Sequence, residues 1–222
     1  MKMKVLVAAA ATLASSSAFA GATGNAGVVS DYLFRGVEQS LGGGSAQVYG
    51  GLDYAHESGL YIGTWVSSLD SSTYETDGYV GFSGKAGDLG YDVGYIFYGY
   101  RDAPVLNYSE VYGGLSFSGL SAKFFYSPEF GATQDSAYYI TGSYALAISE
   151  TLALTPQVGY SAGDGIETAF GGAFKDYFDY SLTLAKTVEG GYTFSFAVIG
   201  NSEDDTLGKE TVVVGLKKAF DL

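Results

Sequence analysis

From residue 44 to residue 56 the side chains alternate in kind. Ala46, Val48, Leu52 and Tyr54 fall on one parity, and Ser45, Gln47, Tyr49, Gly51 and Asp53 on the other. A period of two places successive side chains on opposite faces of a sheet. The alternation recurs in segments of about ten residues, the length at which a tilted strand crosses a bilayer. It predicts strands over 27–37, 44–56, 59–69, 74–84, 88–101, 107–117, 120–127, 137–148, 151–161, 176–187, 191–201 and 209–220. No helical period competes over a useful length, and no apolar run after residue 20 reaches the roughly 18 residues of a transmembrane helix.

The connections alternate too. The first, third and later odd ones (38–43, 70–73, 102–106, 127–135, 162–175 and 202–208) are nearly all longer than the even ones, at 57–58, 85–87, 118–119, 149–150 and around Gly190. Short periplasmic turns and longer extracellular loops mark outer-membrane barrels, and an even strand count returns both termini to the periplasm. The predicted fold is therefore all-β: a single antiparallel transmembrane β-barrel of about twelve strands.

Parity divides the strands into two surfaces. The outward set includes Tyr32, Phe34, Val48, Leu52, Tyr54, Val80, Val93, Phe97, Val111, Phe124, Val158, Phe178, Leu182, Phe196, Val214 and Phe220. The inward set includes Asp31, Arg35, Gln47, Asp53, Glu75, Asp77, Asp92, Glu110, Tyr112, Lys123, Gln157, Asp179, Ser181, Thr183 and Ser195. Hydrocarbon outside and a polar lumen inside invert the soluble pattern, and closure removes sheet edges that lipid does not tolerate. The strand at 59–69 is ambiguous, since Leu60, Ile62 and Val66 compete with Tyr61 and Trp65 for the outward face.

Composition narrows the class. Lys2 and Lys4, a short apolar run and Ala18-Phe19-Ala20 read as a secretory leader over residues 1–20, which leaves 21–222 as the barrel domain. A net charge of −13 is a poor match for nucleic acid, which demands a basic face. There is no cysteine, hence no disulfide framework. Thirty-three glycines with 20 tyrosines and 14 phenylalanines argue against disorder and fit a barrel with aromatic girdles and relieved crowding.

Several motifs carry a resemblance. Ser30-Asp31-Tyr32-Leu33-Phe34-Arg35-Gly36, Gly50-Gly51-Leu52-Asp53-Tyr54, Gly63-Thr64-Trp65-Val66-Ser67 and Tyr91-Asp92-Val93-Gly94-Tyr95 are similar to the TorF family of proteobacterial porins. So are Asn107-Tyr108-Ser109-Glu110-Val111-Tyr112 and Asp176-Tyr177-Phe178-Asp179-Tyr180-Ser181-Leu182. The resemblance implies a pore-forming outer-membrane barrel of a Gram-negative bacterium. Thr211 to Phe220 also resembles the targeting strand read by the outer-membrane assembly machinery, although Asp221-Leu222 follows the aromatic residue.

Catalytic chemistry has few candidates. His56 is the sole histidine; it continues an outward parity beside a short turn, away from the outer rim where a barrel protease would work. No catalytic residue, cofactor or metal ligand is expected. The acidic stretch at 201–208 misses the calcium-loop spacing, and Gly42-Gly43-Gly44 lacks the lysine and helix of a phosphate loop. Candidate lumen residues are Asp31, Arg35, Asp53, Glu75, Asp77, Asp92, Glu110, Lys123 and Asp179. Asp31 and Arg35 share a parity but would stand about 13 Å apart on a strand, too far to pair. A water-filled acidic lumen would favour cations; carboxylates paired across it would instead close it. The reading is a channel for passive diffusion of small hydrophilic solutes or cations, monomeric and embedded in outer-membrane lipid. The alternatives are a closed structural or surface-interaction barrel and, behind it, a barrel enzyme.

Overall fold

The computed structural model describes residues 21–39, 46–69, 73–203 and 207–222. The leader, the glycine tip at 42–44 and the middle of the acidic stretch at 201–208 lie outside the described residues. Twelve antiparallel staves close on themselves: β1 (Gly21–Val29), β2 (Gln47–Ala55), β3 (Leu60–Ser68), β4 (Tyr74–Ala86), β5 (Leu89–Tyr100), β6 (Tyr108–Phe117), β7 (Leu120–Ser127), β8 (Ala137–Tyr144, resuming as Leu146–Ser149), β9 (Leu152–Ala162), β10 (Asp176–Val188), β11 (Tyr192–Asn201) and β12 (Thr211–Asp221). β1 completes the ring by pairing with both β2 and β12, with Thr23 opposite Asp221 and Val29 opposite Gly215. β8 breaks only at Ala145, whose N–H turns to the carbonyl of Gly119.

The exterior is apolar through the middle. Val48 and Val158 are 63% and 62% exposed, and Leu52, Val80, Val93, Val111, Phe178, Phe194 and Val214 stand out beside them. An apolar belt of this extent is far beyond what a water-facing surface sustains and is what hydrocarbon requires. A loop-end girdle adjoins it on β7 to β10, where Phe124, Tyr138, Tyr160 and Phe178 form a chain of ring contacts. At the turn end, Lys218 reaches over the ring of Tyr192 at 4.6 Å. β3 is settled: Leu60, Ile62 and Val66 face out, while Ser67 is buried and Trp65 packs against inward aromatic rings.

Glycine and tyrosine occur together for a geometric reason. Tyr49 lies over Gly27, Tyr61 over Gly81, Tyr79 over Gly63 and Tyr112 over Gly94, each pair directly opposite on neighbouring strands. A Cβ on any of these glycines would fall inside the partner ring. The missing side chain lets each tyrosine lie flat along the wall rather than project into the lumen. Gly94→Val is therefore expected to displace Tyr112 and press on the carbonyl of Val80, lowering stability by about 1–3 kcal/mol as overpacked sites do. Denaturant unfolding in detergent would read this, and adding Tyr112→Ala should return part of the loss.

The first strand corrects the sequence expectation. It runs over Gly21–Val29 rather than 27–37. The chain then leaves the wall and turns into the lumen as a hairpin, Leu33–Phe34 against Val37–Glu38. Arg35 and Gly36 form its tip with φ of 52° and 75°, the two positive values that a tight two-residue turn with the twist of its strands requires. Tyr32 and Phe34 are consequently not on the lipid face. Tyr32 is buried against Trp65, and Phe34 meets the edge of Tyr98.

Candidate functional site

The hairpin reaches wall to wall. Arg35 donates two hydrogen bonds to Glu110 of β6, at 2.9 and 2.7 Å. Its guanidinium also lies 4.6, 5.1 and 4.3 Å from the ring centres of Phe34, Phe125 and Tyr139. On the opposite side, Gly36 packs against Asp179 and Gly200, and the Asn201 side chain donates to the Gly36 carbonyl at 3.0 Å. A left-handed arginine is unfavourable by about 1–2 kcal/mol; the bidentate ion pair and the surrounding rings hold it there.

Above the hairpin, a one-turn helix, α1 (Asp164–Ala169), folds inward from the connection after β9. Its Ile166 is buried with Ala137, Tyr177 and Leu207, and Val37, Phe130, Phe170 and Phe174 pack around them. Hairpin and helix both fold inward at the loop end of the barrel, where Val37 of the hairpin packs against the cluster around Ile166. Toward the turn end, the inward residues Asn25, Asp53, Thr193, Ser195 and Lys217 are only half-buried, so the lumen opens as a vestibule on that side.

Each wall carboxylate named from the sequence faces inward: Asp53 is half-buried, and Glu75, Asp77, Asp92, Glu110 and Asp179 are buried. Asp31 is also buried, but on the hairpin, where its carboxylate accepts the Tyr32 N–H at 2.8 Å. Arg35, too, is on the hairpin rather than the wall. Lys123 pairs with Asp92 at 2.8 Å. The remaining donors are tyrosines. Tyr79 donates to Asp53, Tyr61 to Asp92 at 2.6 Å, Tyr98 to Glu110 at 3.1 Å and Tyr139 to Asp179 at 3.1 Å. The Tyr61 and Tyr112 hydroxyls meet at 2.5 Å. Neutral hydroxyls thus hydrogen-bond Asp53, Asp92, Glu110 and Asp179 without supplying a countercharge. Parity alone did not single out Tyr61, Tyr79, Tyr98 and Tyr139 as donors. Their signal was a tyrosine sharing the parity of a carboxylate on a nearby strand.

His56 is exposed at the turn after β2, its Nδ1 2.9 Å from the Ser58 hydroxyl, away from every lumen carboxylate described here. Among the described residues no three histidines, cysteines or carboxylates gather as a metal cluster.

Comparison with known proteins places the chain. Residues 11–220 match the family described as "Bacterial protein of unknown function (Gcw_chp)". The chain belongs to this family. No curated protein matches it. Among solved structures, the fold of this Gcw_chp member is similar to that of the KdgM porin, at 11% identity over 90% of this chain and 99% of that one, with a TM-score of 0.61. KdgM porin in complex with disordered oligogalacturonate gives 10%, 90%, 99% and 0.60, and the NanC porin gives 8%, 91%, 100% and 0.63. At these identities the likeness is one of fold: a closed, porin-type barrel. It extends to the porin architecture expected from the TorF resemblance but not to the TorF name.

Proposed function

We propose that this chain is an outer-membrane channel through which small hydrophilic solutes, cations above all, diffuse passively. The observation that carries the reading is the inverted barrel: an apolar exterior around an interior holding Asp31, Asp53, Glu75, Asp77, Asp92, Glu110 and Asp179 against Arg35, Lys123 and Lys217. Such an excess of carboxylates in a narrow, low-dielectric bore focuses a negative potential, which concentrates cations and repels anions. The KdgM structure solved with oligogalacturonate shows a barrel of this shape beside a polyanionic sugar. This acidic lumen is suited to the opposite charge. The leader directs export, the C-terminal strand addresses the assembly machinery, and the barrel works as a monomer without cofactor or chemistry.

A planar-bilayer recording under a salt gradient tests the proposal. Small, steady openings with a reversal potential on the cation side are expected, and Asp53→Asn in the vestibule should move that potential toward zero. A second reading, a closed structural barrel, is favoured by the hairpin and helix that fold into the loop end. Folded, heat-modifiable protein that passes no current would establish it in place of the channel.

A further inference from the structure

Arg35 sits in a receptor built almost entirely from the wall. Four consecutive strands supply it. Glu110 of β6 accepts from both terminal nitrogens of the guanidinium, at 2.9 and 2.7 Å. Tyr98 of β5 donates to the same carboxylate at 3.1 Å and steadies it. Phe125 of β7 and Tyr139 of β8 hold their ring centres 5.1 and 4.3 Å from the guanidinium carbon. The register puts these two residues directly opposite each other, so their rings share one level of the wall. A carboxylate that takes both arms of the fork, flanked by rings, recognises guanidinium in particular. A compact ammonium or a hydrated metal cation cannot make the paired contact.

The guanidinium itself does not come from the wall. Leu33–Phe34 and Val37–Glu38 form a two-stranded sheet of their own, with no ladder to the barrel sheet among the described residues. Arg35 holds a φ of 52°, in the left-handed region that arginine disfavours. Lifting the hairpin away would break no stave pairing and would relieve that backbone, while Glu110, Tyr98, Phe125 and Tyr139 stay on their strands. A second carboxylate stands behind the site. Tyr139 donates to Asp179 at 3.1 Å, and the other Asp179 oxygen has no hydrogen-bond partner among the described residues. Gly36, at the hairpin tip, packs on the Asp179 side chain. Two buried carboxylates thus flank one guanidinium, and the local field favours a cation whether or not Arg35 supplies it.

We propose that Glu110, Tyr98, Phe125 and Tyr139 form a binding site for guanidinium-bearing solutes, with Arg35 as its resident, competing ligand. A free guanidinium offers the wall the same N–H donors and the same planar face. It takes the place of Arg35, and the hairpin lifts away. A primary ammonium of equal charge makes a single-point contact and is the poorer ligand. The tethered arginine occupies the site at a high effective concentration, so a solute must match its head group to displace it. The site does not depend on conduction; that solutes reach it through the lumen rests on the channel reading.

The test uses the full chain folded in detergent and a ligand-observed NMR titration with ethylguanidinium chloride, in wild type and in Arg35→Gly. Glycine keeps the positive φ at residue 35 without strain and vacates the site. Saturable binding to the variant is expected, at least about tenfold tighter than to wild type, whose site is free only while Arg35 is off it. Ethylammonium should bind the variant at least about tenfold more weakly, and so should ethylguanidinium bind Arg35→Gly/Glu110→Gln. If Arg35→Gly does not reach the heat-modifiable folded form, Arg35→Lys takes its place. It keeps a charge beside Glu110 without the fork, and should bind ethylguanidinium more tightly than wild type does. A folded variant that binds no ethylguanidinium, binds it no better than wild type, or is indifferent to Glu110→Gln would overturn the proposal. Planar-bilayer currents separate it from the channel reading. Binding without current keeps the site and removes the channel; current without binding does the reverse.

Discussion

Arg35→Gln should widen the path through the barrel. The guanidinium makes both hydrogen bonds that hold the hairpin tip to Glu110, and the two side chains are 9% and 2% exposed. Removing one partner of a buried ion pair leaves the other uncompensated, which typically costs about 3–5 kcal/mol. That cost falls on the docked position of the hairpin rather than on the barrel, whose strands keep their backbone ladder. The left-handed backbone at residue 35 adds to the effect, since without the ion pair and rings nothing holds it. A bias of this size raises the undocked fraction by more than about a hundredfold. In planar bilayers the variant should show larger and more frequent openings than wild type. Arg35→Met combined with Glu110→Leu should return the conductance toward the wild-type level, because an apolar pair of similar volume leaves no buried charge behind. Unchanged conductance in folded Arg35→Gln would mean that the hairpin is not the barrier.

Val214→Lys should strike the membrane seat of the protein instead. Val214 is 55% exposed, opposite Phe196 on β11, within the exterior apolar belt. A lysine facing lipid near mid-bilayer costs about 2–4 kcal/mol, falling toward zero at the interfaces. Unfolding from lipid vesicles should show this loss. The inward neighbour Val213, 7% exposed, should respond to the same change through crowding and buried charge, with no dependence on bilayer thickness. Equal stability of Val214→Lys and wild type would reverse the assignment of the faces.

Most of the wall was legible because parity is a local property. β2 through β12 lie within three residues of the predicted bounds, since each alternates against lipid on one side and lumen on the other. β3 resisted because Tyr61 and Trp65 are as apolar as Leu60 and Ile62. What separates them is a polar atom that needs a partner, which for Tyr61 is Asp92. The first strand failed for a different reason. Gly21–Val29 is short of apolar side chains, whereas the hairpin that follows alternates strongly. A plug contacting lumen walls on both sides carries the same period as a strand between lipid and water. The break at Arg35-Gly36 is hard to read as a hairpin turn, because arginine is an uncommon choice for a positive φ. Helix α1 escaped because one turn is too short to show a period. The wall carboxylates were readable from parity, whereas Asp31 was not, since it leaves the wall with the hairpin; the tyrosine partners required the strand register.

The hairpin's place in the chain bears on how the molecule is built. It follows β1 directly, and β1 is the stave whose pairing with β12 closes the ring, joining residues as far apart as Thr23 and Asp221. Contacts of such separation form late and slowly. The hairpin inside the bore is therefore tethered to the last seam to zip. Sealing of the wall and threading of the plug become one kinetic event, and a hairpin left outside when the seam closes must reopen it to enter. Refolding from denaturant should accordingly show a slow final phase that reports Trp65, the ring against which Tyr32 comes to rest.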